Sequence, residues 1–319
     1  MSSLSTSSPG IHSARRRLPA RASRALRAAL LLPVLLGAAC SGDGRDPQTR
    51  ARREPTSTTS TTSTTVDSPD DLSAPARAAE LAALLARVEI ALRSTTTPAA
   101  DVARLGWEQQ LGYRTLRAHA EWVPAVLAAI PVEVRPVVEA NGRAGRGLAM
   151  LAEPQPQLPD WRIEAPPAPE VLVGHYREAE SATGIAWPYL AAIHFVETRM
   201  GRIRGASTAG AQGPMQFLPS TWAAYGEGDI NDPRDAIVAA GRYLAASGGP
   251  EDMSRALYAY NHSLRYVDAV QTYAGVIATG QELAYRGYYH WQVYYATTSG
   301  VVLLPEGYPQ REPVRASTR

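Results

Sequence analysis

An apolar segment that ends in a single carboxylate constrains the fold of this chain most. Residues 190–196 read Leu-Ala-Ala-Ile-His-Phe-Val, and Glu197 follows them directly. Leu190 and Ile193 precede Glu197 by seven and four residues, so the spacing predicts a helix over 188–198 with Glu197 on its apolar side. A buried carboxyl group keeps its proton to higher pH, because desolvation penalises the charged form. Glu197 is therefore a candidate general acid.

Glu197 also fits a structural interpretation, in which an arginine such as Arg199 or Arg202 holds a buried or capping carboxylate. Two later segments favour the catalytic interpretation. Residues 207–222 read Ser-Thr-Ala-Gly-Ala-Gln-Gly-Pro-Met-Gln-Phe-Leu-Pro-Ser-Thr-Trp, and residues 258–263 read Tyr-Ala-Tyr-Asn-His-Ser. The glycines of the first segment permit tight backbone turns that bring a loop close to a substrate.

The three segments together resemble the lytic murein transglycosylases of the lysozyme-like superfamily. The family pattern is Glu-Ser/Thr, then Ser-x-x-Gly-Ala-x-Gly-x-Met/Gly-Gln, then Tyr-Asn. The resemblance covers roughly residues 170–278, about a third of the chain. The run over 229–237 is similar to the membrane-bound branch of the family. A lone Glu-Thr pair would carry no information, whereas three ordered segments with family-like spacing are specific.

The resemblance implies a role for five residues. Glu197 matches the catalytic acid. Ser207 matches a serine that helps to orient the glutamate, and Gln216 matches a glutamine that binds the sugar. Tyr260 would contact the glutamate or stack on a sugar, and Asn261 would hold an acetamido group. The alternative for Tyr260 is an ordinary tyrosine of the hydrophobic core.

The implied reaction is cleavage of the β-1,4 bond between N-acetylmuramic acid and N-acetylglucosamine in peptidoglycan, with formation of 1,6-anhydromuramyl ends. Most glycosidases use two carboxylates, whereas only Glu197 has a strong sequence context here. This asymmetry suits chemistry in which the substrate supplies the nucleophile. Two alternatives remain open: a hydrolytic muramidase with the same site, and a non-catalytic glycan-binding lipoprotein.

The N-terminal residues have the features of an export signal. Residues 1–39 contain six arginines and no acidic residue, followed by an apolar run over 28–39 that is too short to span a bilayer comfortably. The small residues before Cys40, the only cysteine of the chain, resemble a bacterial lipobox. We expect a signal peptide over 1–39, a lipidated Cys40 and an extracytoplasmic location in the cell envelope, where the lipid anchors the protein to the membrane. The alternative is an ordinary signal peptide with an incidental cysteine.

The charge and the acidic residues argue against nucleic acid and metal. The formal charge of +2 becomes −4 when residues 1–39 are left out, and the chain has no lysine, so the basic footprint of a nucleic-acid binder is missing. Asp229, Asn231, Asp232 and Asp235 suggest calcium, but a full twelve-residue loop with a terminal glutamate is missing. The residues Asp232-Pro233 instead predict a helix start. We expect no metal and no cofactor.

The chain divides by composition into consecutive regions. We expect the following order: a Ser/Thr-rich tether with the lipidated Cys40 over 40–72, a helical accessory region over 73–153, a proline-rich linker over 154–168, a lysozyme-like transglycosylase domain over 169–280, and an aromatic tail over 281–319. Within the domain, helices fit 170–183, 188–198, 233–246, 251–260 and 264–278. Prolines and glycines predict breaks in the accessory region over 122–151. The segment 285–304 reads as a β-hairpin that packs on the domain or stacks on sugars. The predicted fold class is mainly α, and we expect a monomer that acts on peptidoglycan glycan strands.

Overall fold

The computed structural model describes residues 68–316, and this part of the chain is mainly helical. The helices are α1 (Ala78–Leu92), α2 (Ala99–Ala118), α3 (Val123–Ala129), α4 (Arg135–Ala149), α5 (Pro169–Thr183), α6 (Trp187–Thr198), α7 (Pro219–Tyr225), α8 (Pro233–Ala246), α9 (Met253–Tyr260) and α10 (Leu264–Tyr289). The strands are β1 (Arg162–Ile163), β2 (Ile203–Arg204), β3 (Val293–Thr297), β4 (Gly300–Leu304) and β5 (Val314–Arg315). The predicted mainly α class is confirmed. The predicted signal peptide, Cys40 and the tether as far as residue 67 lie outside the described residues.

Helix α6 lies at the centre of the larger hydrophobic core. Every residue of this helix except Tyr189 is buried, as expected for a helix that is apolar on nearly all sides. It packs against α5, α8 and α10. Directly after α6, three consecutive residues have positive φ angles: Arg199 (53°), Met200 (62°) and Gly201 (81°). This left-handed run reverses the chain and leaves Glu197 in the last helical turn, inside the protein.

Four of the five helices predicted for the domain agree with α5, α6, α8 and α9 within two residues, but α10 is longer than predicted. It begins at Leu264 and continues to Tyr289, with an interruption at Gln281, where φ is 50°. The prediction of a hairpin from residue 285 is therefore wrong over 285–289. Tyr285, Tyr288 and Tyr289 are buried at helical spacing, and the hairpin forms only where β3 pairs with β4.

The helices before the domain share its core. Helices α2 and α4 pack against α10, and buried residues of both helices, among them Leu116 and Leu148, belong to the same hydrophobic cluster as α6. The predicted break at the glycines 142, 145 and 147 is wrong, since α4 continues through all three. A Cβ atom at Gly142 would lie 3.2 Å from Cδ2 of Leu116. This glycine therefore lets α2 and α4 approach each other closely.

A buried hydrogen-bond network crosses the boundary between these helices and the domain. Glu89 of α1 has no exposed surface and accepts hydrogen bonds from Gln109 Nε2 (3.0 Å) and from the Tyr113 hydroxyl. Asn141 donates to Tyr113 (3.1 Å) and accepts from the Tyr288 hydroxyl (2.6 Å). The network joins α1, α2 and α4 to the end of α10, and it satisfies polar groups that would otherwise be costly to bury.

A second, smaller core holds the segment between α4 and α5 against the C-terminal hairpin. Strands β1 and β2 pair antiparallel, with Arg162 opposite Arg204 and Ile163 opposite Ile203. The buried members of this core are Trp161, Ile163, Ile203, Val293, Tyr295, Leu304 and Tyr308. The aromatic side chains of the hairpin that face this core are packed there, so the packing interpretation of the tail is the one that the structure supports. Within residues 68–316, no helix combines the length and the apolar character needed to cross a bilayer.

Candidate active site

Glu197 lies in the last turn of α6 with only 6% of its surface exposed. Its Oε1 accepts a hydrogen bond from the Tyr266 hydroxyl at 2.7 Å. Its Oε2 is buried and has no hydrogen-bond partner in the described part of the chain. Burial raises the pKa of Glu197 to about 8, although the hydrogen bond from Tyr266 lowers it in part. The carboxyl group is therefore mostly protonated at neutral pH, as a general acid must be.

The arginines that a structural glutamate would need are engaged elsewhere. The Arg199 guanidinium donates to the Phe195 carbonyl at 2.6 Å and lies over the Phe195 ring. Arg202 donates to the Tyr289 carbonyl at 3.2 Å and approaches Glu306 at 3.9 Å. Neither forms an ion pair with Glu197. The interpretation of Glu197 as a glutamate paired with one of these arginines is therefore wrong.

Tyr266 is the residue of the site that the sequence analysis missed. It lies in the first turn of α10, whose N-cap, Ser263, accepts from the Tyr266 amide at 3.4 Å. Burial and the neighbouring Glu197 carboxylate raise the pKa of the Tyr266 hydroxyl well above its ordinary value, so the hydroxyl stays a donor to Glu197. The only sequence signal was its position in the first turn of the helix that follows the Tyr-Asn pair.

Thr198 ties the end of α6 to the loop that carries the second motif. Its hydroxyl donates to the Pro214 carbonyl at 2.6 Å and accepts from the Gly201 amide at 3.0 Å. Both hydrogen bonds require a hydroxyl group, which explains why a threonine follows Glu197. It fixes the distance between the acid-bearing helix and the loop over 207–217.

Ser207 shapes this loop from within. Its Oγ accepts from the amides of Ala209 (3.3 Å) and Ala211 (3.1 Å), and its backbone carbonyl accepts from the Gly210 amide at 2.9 Å. These bonds close a tight turn in which Gly210 has a φ of 79°. The hydroxyl is thus engaged within its own loop, and its predicted role in orienting Glu197 stays a prediction.

Gln216 lies at the other end of the loop in an unusual backbone conformation, with a φ of 51°. Its side-chain nitrogen donates to the carbonyls of Gly213 (2.9 Å) and Gly205 (3.4 Å). Gly213 also has a positive φ of 73°, and a Cβ atom there would lie 1.9 Å from the Ile230 carbonyl oxygen. Only glycine fits at this position, so the loop is built to hold Gln216 in a strained, fixed place.

The tyrosine of the Tyr-Asn pair contacts the loop over 207–217. The Tyr260 hydroxyl donates to the Met215 carbonyl at 2.6 Å, and its ring stacks on that of Tyr266 with the planes 5° apart. The pKa of Tyr260 is raised well above its ordinary value, mainly by burial and secondly by the nearby charge of Glu197. Asn261 is 5% exposed and ends α9 in an extended conformation. Glu197, Tyr266, Tyr260 and the loop therefore form one continuous arrangement.

The acidic residues after the loop cap a helix, as predicted. Asp232 is the N-cap of α8 and accepts from the Asp235 amide at 3.0 Å. Asp235 in turn accepts from the Asp229 amide at 3.0 Å. Across residues 68–316, no group of three or more His, Cys, Asp or Glu side chains is arranged to hold a metal ion.

Comparison with known proteins identifies the part of the chain that holds this arrangement. Residues 175–277 match the family described as transglycosylase SLT domain. The suspected resemblance to lysozyme-like lytic transglycosylases is thereby confirmed for this segment, which contains Glu197, the loop over 207–217, the Tyr-Asn pair and Tyr266. The SLT match covers about a third of the chain.

A curated relative gives the same family. The chain is 32% identical over 98 residues to the membrane-bound lytic murein transglycosylase F of Thiobacillus denitrificans. The aligned part is 31% of this chain and 18% of the relative, so the chain spans less than a fifth of that protein. No solved structure gives a significant match. The predicted enzyme class, a lytic transglycosylase, is the class to which both matches point.

Proposed function

We propose that the protein cleaves the β-1,4 bond between N-acetylmuramic acid and N-acetylglucosamine in peptidoglycan and forms 1,6-anhydromuramyl ends. Glu197 protonates the bridging oxygen as the bond to the muramyl anomeric carbon breaks. The muramyl acetamido oxygen stabilises the oxocarbenium-like centre. The ionised Glu197 then takes the proton of the muramyl 6-hydroxyl, whose oxygen closes the anhydro ring. The first proton stays on the leaving oxygen, and the proton of the 6-hydroxyl restores the protonated Glu197, so no water is consumed.

The environment of Glu197 is the observation that carries this proposal. The carboxyl group is buried, its pKa is raised to about 8, and its Oε2 has no internal hydrogen bond to break before proton transfer. Among the described residues, the groups that shift this pKa include no second carboxylate. A single acid that alternates between giving and taking a proton suits a reaction in which the substrate supplies its own nucleophile.

The remaining predicted residues belong to the binding of the sugar. We assign Gln216 and Asn261 to the acetamido and hydroxyl groups of the substrate, and Tyr260 to the support of the Met215 carbonyl beside them. The strained backbone at Gln216 supports this assignment, because such strain concentrates at sites that hold a ligand. Ser207 keeps the turn in shape.

The test is the mass of the products. The purified protein is incubated with peptidoglycan, and the released muropeptides are weighed. Anhydro products support the proposal. Products heavier by one water would instead establish the hydrolytic muramidase, and no release would favour the non-catalytic glycan-binding protein. In the variant Glu197→Gln we expect a rate lower on the order of 10²–10⁴-fold, since the transferable proton is lost.

We also propose that the protein is held in the cell envelope by a lipid on Cys40 and acts as a monomer. The relative that the chain matches is named as membrane-bound, and a spacer rich in serine and threonine follows Cys40. One acyl chain gives only weak membrane binding, so stable anchoring needs several chains. The variant Cys40→Ala should move from the membrane to the soluble exported fraction. Unchanged fractionation contradicts the anchor.

A further inference from the structure

A polar cavity of about 610 Å³ lies beside the loop that carries Gln216. One wall comes from the segment before α5, through Asp160, Arg162 and Glu164, and another comes from Arg204 and Asn231. The first wall lies outside residues 175–277, the part of the chain that matches the SLT family. The family resemblance therefore does not account for this wall of the cavity.

The charged wall is held rigidly in place. Trp161 donates its indole N–H to the Ala206 carbonyl at 3.2 Å, and a Cβ atom at Gly205 would lie 2.4 Å from the Trp161 ring. Tyr308 of the C-terminal segment donates its hydroxyl to the Pro159 carbonyl at 2.7 Å. The small core therefore holds the backbone of 159–164 against the loop, so that Arg162 and Arg204 extend from a fixed backbone.

The two arginines share one internal carboxylate. Glu164 lies 3.3 Å from the Nε of Arg162 and 3.3 Å from the Nε of Arg204. The Arg204 Nε is buried and makes no hydrogen bond despite this proximity, while another of its nitrogens donates to the Asn231 carbonyl at 3.3 Å. The lining carries Arg162 and Arg204 beside Asp160 and Glu164, so it has no net charge but presents both signs. The Arg162 side chain is 69% exposed, and the planar fork of a guanidinium is the chemistry that recognises a further carboxylate.

The cavity borders the proposed sugar site directly. Gly205 and Gly213 line the cavity, and their carbonyls are the acceptors of the Gln216 side chain. A substituent attached to a sugar that is bound at Gln216 could therefore extend directly into the cavity.

We propose that this cavity binds the peptide attached to the muramyl sugar, with a peptide carboxylate at Arg162 and Arg204 and a peptide amino group at Asp160. This inference rests on the proposed function and deepens it. Where the peptide is attached, the lactyl carboxyl group of the muramyl sugar is part of an amide. The sugars of a peptide-bearing strand therefore carry no charge and would not compensate charged side chains for lost hydration. A peptide with free carboxylate and amino groups offers the opposite charges, and its carboxylate fits the planar fork of a guanidinium.

The test compares two forms of one substrate. Glycan strands with their peptides, and the same strands stripped of peptide by an amidase and with the freed lactyl carboxylate converted to a neutral amide, are offered to the full protein. In Arg204→Gln we expect the KM for peptide-bearing strands to rise about tenfold, as for a lost hydrogen bond to a charged group, while the KM for stripped strands stays unchanged. In Glu164→Gln the guanidiniums lose their internal competitor, so the KM for peptide-bearing strands should fall.

The matched control is Arg177→Gln, which removes one exposed arginine that pairs with Glu282 at 2.9 Å, outside the cavity lining. It should change neither KM. Affinity for both strand types is also measured in a Glu197→Gln background, where no turnover is needed. A tenfold weakening confined to peptide-bearing strands supports the cavity even if the proposed reaction is wrong. Equal effects of Arg204→Gln on both strand types, or losses in both cavity variants, overturn the inference.

Discussion

The burial of Glu197 has a cost in stability that depends on pH. The carboxyl group has a pKa of about 8 in the folded protein and an ordinary value of 4.5. Between these values the unfolded chain has lost the proton and the folded protein has kept it, so stability falls as pH rises, by about 1.4 kcal/mol per unit. From pH 4.5 to pH 7 this amounts to about 3 kcal/mol. Below pH 4.5 the stability is fully retained.

The isosteric variant Glu197→Gln removes this cost, because the amide does not ionise and its oxygen still accepts from the Tyr266 hydroxyl. We expect the variant to gain about 3 kcal/mol over the wild type between pH 4 and pH 7. Denaturant unfolding of both proteins at half-unit steps from pH 4 to pH 8.5 measures the difference. The comparison at pH 4, where both side chains are neutral, is the internal control. Parallel stability curves across this range would refute the raised pKa, and with it the reason for regarding Glu197 as the acid.

Three further changes test the surroundings of the acid. Tyr266→Phe removes the donor that lowers the pKa of Glu197, so the alkaline limb of the pH–rate profile should move to higher pH while the rate drops about tenfold; an unchanged profile contradicts the contact. Asn261→Ala should raise the KM for glycan strands about tenfold with little change in the unfolding midpoint, whereas normal kinetics in a destabilised protein would mark Asn261 as structural. Glu89→Ala leaves its ion-pair partner Arg93 and the buried Tyr113 hydroxyl unpaired, so denaturant unfolding should show a loss of about 3–5 kcal/mol with unchanged activity per folded molecule; a loss below about 1 kcal/mol would show the network to be dispensable.

The helix that carries Glu197 could be predicted from the sequence because its pattern involves only neighbouring residues. Apolar residues four and seven positions before the glutamate fix its face, and Asp232 before Pro233 fixes the start of α8. The partner of the acid was not readable, since Tyr266 is separated from Glu197 by 69 positions and only the packing of α10 against α6 joins them.

The predictions for two regions are wrong for different physical reasons. Over 285–289, a short aromatic run fits both a strand and a helix, and the continued packing of α10 against α2 and α4 decides for the helix. Over 122–151, glycines that commonly end a helix instead permit a close helix contact at Gly142. The wall made by Arg162 and Glu164 rests on a strand pairing of two residues, which is too short to leave a periodic pattern in the sequence.

Because the accessory helices and α10 share one core, the segment that matches the family and the segment that folds as a unit are not the same. The unit of homology is residues 175–277, whereas the unit that encloses a complete core extends from α1 to the C-terminal hairpin. Removing the chain before α5 would expose the face of α10 that packs against α2 and α4. It would also remove Asn141, the hydrogen-bond partner of Tyr288. We therefore expect that residues 175–277 alone would not fold stably, and that their transfer to another protein would require the preceding helices as well.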